Sequence, residues 1–141
     1  MPETTIGETL HTLLHAYKRA MRQAYHQAEI PLAISHIRTL KGISAMPACT
    51  PLALSSRTKR DKGQVTRLIK DLLAQNLIEK HQHPGDKRSN ILHLTPAGHH
   101  MIKRIKEIEE IAASRMAEGL SPAEIADFSR LANIMSANLA E

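Results

Sequence analysis

Between Ser55 and Arg88 the chain collects side chains suited to gripping a polyanion. Ser55, Ser56 and Arg57 come first, then Lys62, Gln64, Thr66, Arg67 and Lys70, and finally Asp86, Lys87 and Arg88 beyond Pro84-Gly85. Arg and Lys donate to phosphate oxygens and to guanine, Gln pairs with adenine, and Thr offers a hydroxyl to phosphate or a methyl to thymine. Their spacing matters more than their number. Val65, Leu68, Ile69, Leu72 and Leu73 recur every three or four residues, which predicts one apolar stripe on a helix over about 61–75. The polar set falls largely off that stripe, so the helix turns one face to a core and the other outward. Lys87 and Arg88 fall at the tip of a hairpin spanning 82–90, where cations reach phosphates or the negative minor groove. Asp86, two residues from Arg88, is spaced to orient that guanidinium through a charge-assisted bond.

The surrounding elements must hold these groups in place. A short helix opens at Thr50-Pro51 and runs into the polar, basic turn of residues 55–60. Helix 61–75 follows, with Asn76 where a left-handed residue commonly closes a helix. Two alternating segments, about 77–82 and 90–94, flank His83-Pro84-Gly85-Asp86, and Pro84-Gly85 supplies the reversal. Helix, turn, helix and two-stranded hairpin is the order of a winged helix-turn-helix, which lays its second helix in the major groove of DNA. The fold class is therefore mainly α with a small β-hairpin wing.

Charge is distributed to match. The net charge of the 141 residues is +5. Residues 57–106 hold twelve Lys and Arg against four Asp and Glu, a local +8, while residues 1–56 carry +2 and residues 107–141 carry −5. A cationic surface kept only for solubility has no reason to be segregated like this, whereas a polyanion contact does. Hydrophobic residues make up 42% of the chain, enough for a globular core, and three aromatics leave that core to Leu, Ile, Met and Ala. No apolar run approaches the roughly 20 residues that span a bilayer. The N-terminus has neither the basic start nor the apolar stretch of a signal peptide. One cysteine excludes an internal disulfide and suits the cytoplasm.

Helices flank this centre. Thr5 and Glu8 have capping-box spacing, and Ile6, Leu10, Leu13, Leu14, Tyr17, Met21, Ala24 and Ala28 trace one face of a first helix that ends before Pro31. A second spans about Leu32 to Ala45. After the hairpin, Thr95-Pro96 starts a long helix to about Ala117, and Ser121-Pro122-Ala123-Glu124 caps a last one through Leu139. One small winged helix cannot bury all of these apolar faces. A second copy can, and a two-fold dimer also sets two recognition helices about 34 Å apart, one turn of DNA.

Three motifs carry a resemblance. Asp86-Lys87-Arg88 fits the Asp-x-Arg wing signature of the MarR family of bacterial transcription regulators. Val65-Thr66-Arg67-Leu68-Ile69, with Leu72 and Asn76-Leu77-Ile78, resembles that family's recognition helix and its exit, although the family usually has Gly where Asn76 stands. Leu92-His93-Leu94-Thr95-Pro96-Ala97-Gly98 resembles its Leu-Thr-x-x-Gly start of the next helix. The resemblance covers nearly the whole chain. It implies one domain over 1–141, with dimerisation helices at 1–30 and 95–141 around a winged lobe at 32–94. It also implies a homodimeric repressor on palindromic double-stranded DNA, and a small-molecule effector held between lobe and dimerisation helices, with Tyr17, His36 and Arg38 as polar candidates.

Other chemistries find less support. There is no Gly-rich phosphate loop, Gly-x-Ser-x-Gly elbow or apolar carboxylate pair, so an enzyme is not expected, and neither is a cofactor. His11 and His15 share a helix face, His81 and His83 alternate on a strand, and His99-His100 begin a helix, but none brings a third ligand at metal-site spacing. A metal sensor, or a redox sensor built on Cys49, remains the alternative within this fold. A winged helix used as a protein-interaction module is the alternative outside it, and it needs no basic surplus on helix and wing.

Overall fold

A computed structural model describes residues 4–58 and 60–140, apart from the side chains of residues 83 and 86–89. Thr5 and Glu8 start helix α1 (Ile6–Gln27) reciprocally: Glu8 N–H donates to Thr5 Oγ1 at 3.1 Å and Thr5 N–H to Glu8 Oε2 at 3.3 Å. Helix α2 (Ile34–Ala45) begins two residues later than its apolar pattern suggests. His36 is the reason. Its Nδ1 accepts the Ala33 N–H at 3.3 Å, which makes Ala33 the cap and leaves Leu32 outside.

Helix α3 (Pro51–Thr58) also departs from expectation, because Ser55, Ser56 and Arg57 complete the helix instead of forming the turn. Thr58 Oγ1 donates back to Leu54 O at 2.8 Å, and Ser55 Oγ donates to Arg60 O at 2.7 Å, folding the chain toward the next helix. Asp61 then caps α4 (Lys62–Ala74), its Oδ1 accepting the Gln64 N–H at 2.9 Å. Asn76 closes α4 at φ 59°, the left-handed conformation expected of it.

Strands β1 (Ile78–His83) and β2 (Asp86–Leu94) form the antiparallel wing, with Ile78 opposite Leu94 and a register shift between Gln82 and His83. The second strand starts four residues earlier than its alternation suggests. The loop is only Pro84-Gly85, so the backbone of Lys87 and Arg88 lies in the strand and not at a broad tip. Cys49 lies in an extended link as expected, and its carbonyl accepts the Leu92 N–H at 2.7 Å, adding a bridge at the wing's edge. Helices α5 (Pro96–Met116) and α6 (Pro122–Leu139) follow.

The chain divides into two compact units, residues 1–109 and 110–141. The first holds the core. Ile37, Leu40 and Ile43 of α2, Leu54 of α3, the α4 stripe Val65, Leu68, Ile69 and Leu72, then Ile78, Leu92, Ile102 and Ile105, are all buried. Leu73, expected in the stripe, is half-buried. In the second unit Ser121 and Glu124 form the capping box read from their spacing, and no residue of α6 is buried.

One junction ties three elements together. Thr95 is 5% exposed, donates its hydroxyl to Asn76 O at 2.6 Å and accepts the Gly98 N–H at 3.0 Å. A Cβ on Gly98 would collide with the Leu77 carbonyl oxygen. Gly98→Ala must therefore push α5 off the start of the wing, and overpacking against rigid backbone predicts a loss of about 2–4 kcal/mol. Chemical denaturation followed by circular dichroism checks this, with a midpoint shift at constant slope as the expected result.

Candidate nucleic-acid interface

The polar face of α4 is where the residues read as DNA contacts come together. Lys62, Gln64, Thr66, Arg67 and Lys70 are all exposed, opposite the buried Val65-Leu68-Ile69-Leu72 stripe. Neither Arg67 nor Lys62 nor Lys70 makes an ion pair among the described residues. Thr66 differs from its neighbours: its hydroxyl donates to Lys62 O at 2.7 Å, so outward it offers a methyl and lone pairs but no proton. Ser56 and Arg57 are exposed at the end of α3, while Ser55 is not available in the same way. Its hydroxyl proton belongs to the Arg60 carbonyl, which gives Ser55 a turn-closing role in place of a donor to phosphate. The side chains of Asp86, Lys87 and Arg88, and the pairing of Asp86 with Arg88, lie outside the described residues.

Two contacts that no local pattern reveals hold α4 and α2 in place. His36 Nε2 donates to Asp71 Oδ2 at 2.8 Å, joining the start of α2 to α4. Lys41 Nζ lies 2.9 and 2.6 Å from the two carboxylate oxygens of Glu109, joining α2 to α5. Arg104 adds a third such contact by donating to the Ala28 carbonyl at 2.7 Å.

The three residues read as an effector pocket stand on α1 and α2. Tyr17 is 41% exposed on α1, His36 is taken up by Asp71, and Arg38 faces solvent. A hollow of about 480 Å³, open to solvent, is lined by Arg22, Tyr25, His26, Ile30, Ile34 and Ser35, among others. The apolar periodicity of α1 marks which residues could face inward but not which part of that face is covered. Burial, and after it Glu109 and Tyr17, push the Tyr25 phenol up to about 12.

Among the described residues no group of three or more His, Cys, Asp or Glu is arranged to hold a metal ion. His11, His15, His99 and His100 are exposed. His81 lies 3.1 Å from Glu79 Oε1 and meets the His93 ring edge-on at 4.9 Å, a cross-strand packing contact. No helix among the described residues is long and apolar enough to cross a membrane.

A buried stripe behind a polar helix face, a preceding helix set against it and a hairpin after it define a winged helix-turn-helix protein. Comparison with known proteins narrows the class. Residues 30–89 match the model of the MarR family. The fold resembles that of Staphylococcus aureus MepR in its DNA complex, with a TM-score of 0.81 at 19% identity over 97% of this chain and all of that one. Bordetella bronchiseptica BpsR gives a TM-score of 0.75 at 24% identity, with both chains covered completely. In sequence, the uncharacterized HTH-type transcriptional regulator YkoM of Bacillus subtilis is 35% identical over 71 residues, half of this chain and 46% of that protein. The match thus spans about half the length of the relative. The family model covers 60 of the 141 residues, those of the winged helix-turn-helix centre.

Cys49 shows how the fold constrains chemistry at a site that sequence leaves open. It is 1% exposed, and burial pushes its thiol up, with Arg57 pulling the other way more weakly. A buried thiol held in its protonated form is a poor nucleophile and a poor oxidant sensor. The folded protein should therefore react with an aromatic disulfide reagent at pH 8 roughly a hundredfold more slowly than the protein unfolded in guanidinium. The raised pKa also fixes a direction: as pH climbs, the unfolded protein's rate should rise first and the folded protein's only at higher pH. Fast, stoichiometric labelling of the folded protein would return Cys49 to the list of sensors.

Proposed function

We propose that this protein is a cytoplasmic, homodimeric transcription repressor that reads a palindromic site in double-stranded DNA. The observation that carries the reading is the solvent face of α4. It presents Lys62, Arg67 and Lys70 with no ion-pair partner among the described residues, beside Gln64 and the Thr66 methyl. Side chains left unpaired on a rigid, core-backed helix suit major-groove contact, with the Lys and Arg setting affinity and Gln64, Thr66 and Arg67 setting sequence preference. Ser56 and Arg57 reach phosphates, and Lys87 with Arg88, oriented by Asp86, follows the minor groove or backbone from the wing. MepR is a DNA-bound relative in fold, which supports the same use here.

Dimerisation rests on apolar surface. Ile6, Leu10, Leu14 and Tyr17 of α1 are 40–72% exposed, and on α6 Ile125, Phe128, Leu131, Ile134, Met135 and Leu139 are 39–84% exposed. Faces like these, repeated at helical spacing, fit a second copy of the same chain. The effector is a small anion seated in the hollow at Arg22 and His26. There the raised pKa keeps the Tyr25 phenol a hydrogen-bond donor at any physiological pH. BpsR, whose DNA binding is regulated by 6-hydroxynicotinic acid, supports an effector of that type. It would act by favouring a dimer whose recognition helices no longer match the half-sites.

The test begins with mass and salt. Light scattering should give about 31 kDa, twice the 15.7 kDa chain, with Phe128→Glu shifting the protein toward monomer. On a duplex selected by the wild-type protein from a randomised pool, Arg67→Ala should weaken binding roughly 10- to 100-fold and relax one position of the site. Lys70→Ala should weaken all sequences alike and flatten the salt slope by about one per protomer, and Arg88→Ala should weaken binding severely. If none of the three changes the titration, or generic duplex DNA is not retained at low salt, the surface belongs to a protein-interaction module.

A further inference from the structure

Asp71 is an anomaly on a helix meant for DNA. It is the only acid within α4, it lies one turn beyond Arg67, and its side chain is 45% exposed. Residues four apart on a helix are neighbours, so an unoccupied Asp71 carboxylate would sit within reach of the Arg67 guanidinium. It would compete with DNA for that cation. Asp71 Oδ2 is held instead by His36 Nε2 at 2.8 Å, from a ring only 19% exposed and anchored at its other nitrogen by the Ala33 N–H at 3.3 Å. The ring is thus fixed at both ends: one nitrogen accepts from the start of α2 and the other donates to α4.

We propose that His36 is a positioning residue for DNA reading: by occupying Asp71 it keeps Arg67 free for the groove. The proposal rests on the reading of Arg67 as a DNA contact. A simple tie between α2 and α4 would respond differently to removal of the acid itself. A tie is lost equally by changing either partner. A sequestered competitor is harmful only when His36 is removed and Asp71 stays.

The measurement is binding of the full-length protein to a duplex that the wild type selects from a randomised pool, for a set of variants. His36→Leu should weaken binding about two- to fivefold, the effect of one competing helical pair in each of two half-sites. Asp71→Asn alone should bind at least as tightly as wild type, and His36→Leu with Asp71→Asn should match Asp71→Asn alone. His36→Gln, whose amide still donates to Asp71, should stay close to wild type. In an Arg67→Ala background His36→Leu should cost nothing further. Should His36→Leu fail to fold by circular dichroism, His36→Asn, too short to reach Asp71, takes its place. If Asp71→Asn is as weak as His36→Leu and the double variant no better, the pair is only a tie and the proposal is wrong. If Arg67→Ala binds like wild type, the reading of Arg67 fails, and with it the proposal, by a pattern distinct from the first.

Discussion

The Leu77 carbonyl sits where a side chain on residue 98 would have to be, and the geometry of the lobe depends on that closeness. Asn76 takes a left-handed conformation to end α4, its own carbonyl accepts the Thr95 hydroxyl, and the Leu77 carbonyl accepts the Thr95 N–H at 3.1 Å. The end of the recognition helix, the first residue before the wing and the cap of α5 are thus one hydrogen-bonded knot with no room for a methyl. Angles between elements set at such a knot cannot drift without breaking buried hydrogen bonds. Under the proposed function that rigidity matters, because a DNA-reading face misplaced by an ångström loses its contacts.

The core behind the knot is small, and the apolar faces at the chain's ends are not part of it. Met21 and Tyr25 of α1 are buried, yet Ile6 and Leu10, several turns earlier on the same helix, are 72% and 58% exposed. Helix α1 is thus covered at one end and bare at the other. In α6 the contrast is complete, with large apolar residues on one face and no buried residue anywhere. At about 25 cal/mol per Å² of apolar surface removed from water, such faces supply the driving force for the proposed dimer.

Much of this is legible in the sequence, for a physical reason. Caps are local: Thr5 with Glu8, Ser121 with Glu124 and the left-handed Asn76 each depend on residues a few positions apart, and each is where spacing puts it. Periodicity marks the α4 stripe almost to the residue, missing only that Leu73 is half-covered. The features that escape are long-range or competitive. His36 meets Asp71 from 35 positions away and Lys41 meets Glu109 from 68, and nothing in either helix's own pattern requires the pairing. Ser55 reads as a phosphate donor until the fold brings the Arg60 carbonyl to it. The wing strand's early start depends on how tight a loop Pro84-Gly85 makes, which composition does not set. The hollow's lining escapes because an apolar stripe fixes direction around a helix and not depth along it.

The assignment of cations to structure or to surface gives the lobe its logic. Lys41 and Arg104 are committed, one to a carboxylate and one to a carbonyl, and the two contacts tie α2 and the end of α1 to α5. Among the described residues α4 keeps Lys62, Arg67 and Lys70 out of such pairs, although acids that could quench them are at hand. Asp61 is occupied as the helix cap and Asp71 by His36, so each of these carboxylates has a partner other than a cation of α4. An isolated exposed ion pair is worth little, about 0–1 kcal/mol, so forgoing these pairs costs the fold almost nothing. In the proposed complex the same cations would release condensed counterions, a gain that grows with each phosphate neutralised. Under the proposed function, the imbalance between the two magnitudes accounts for the positive charge left unpaired on one helix face.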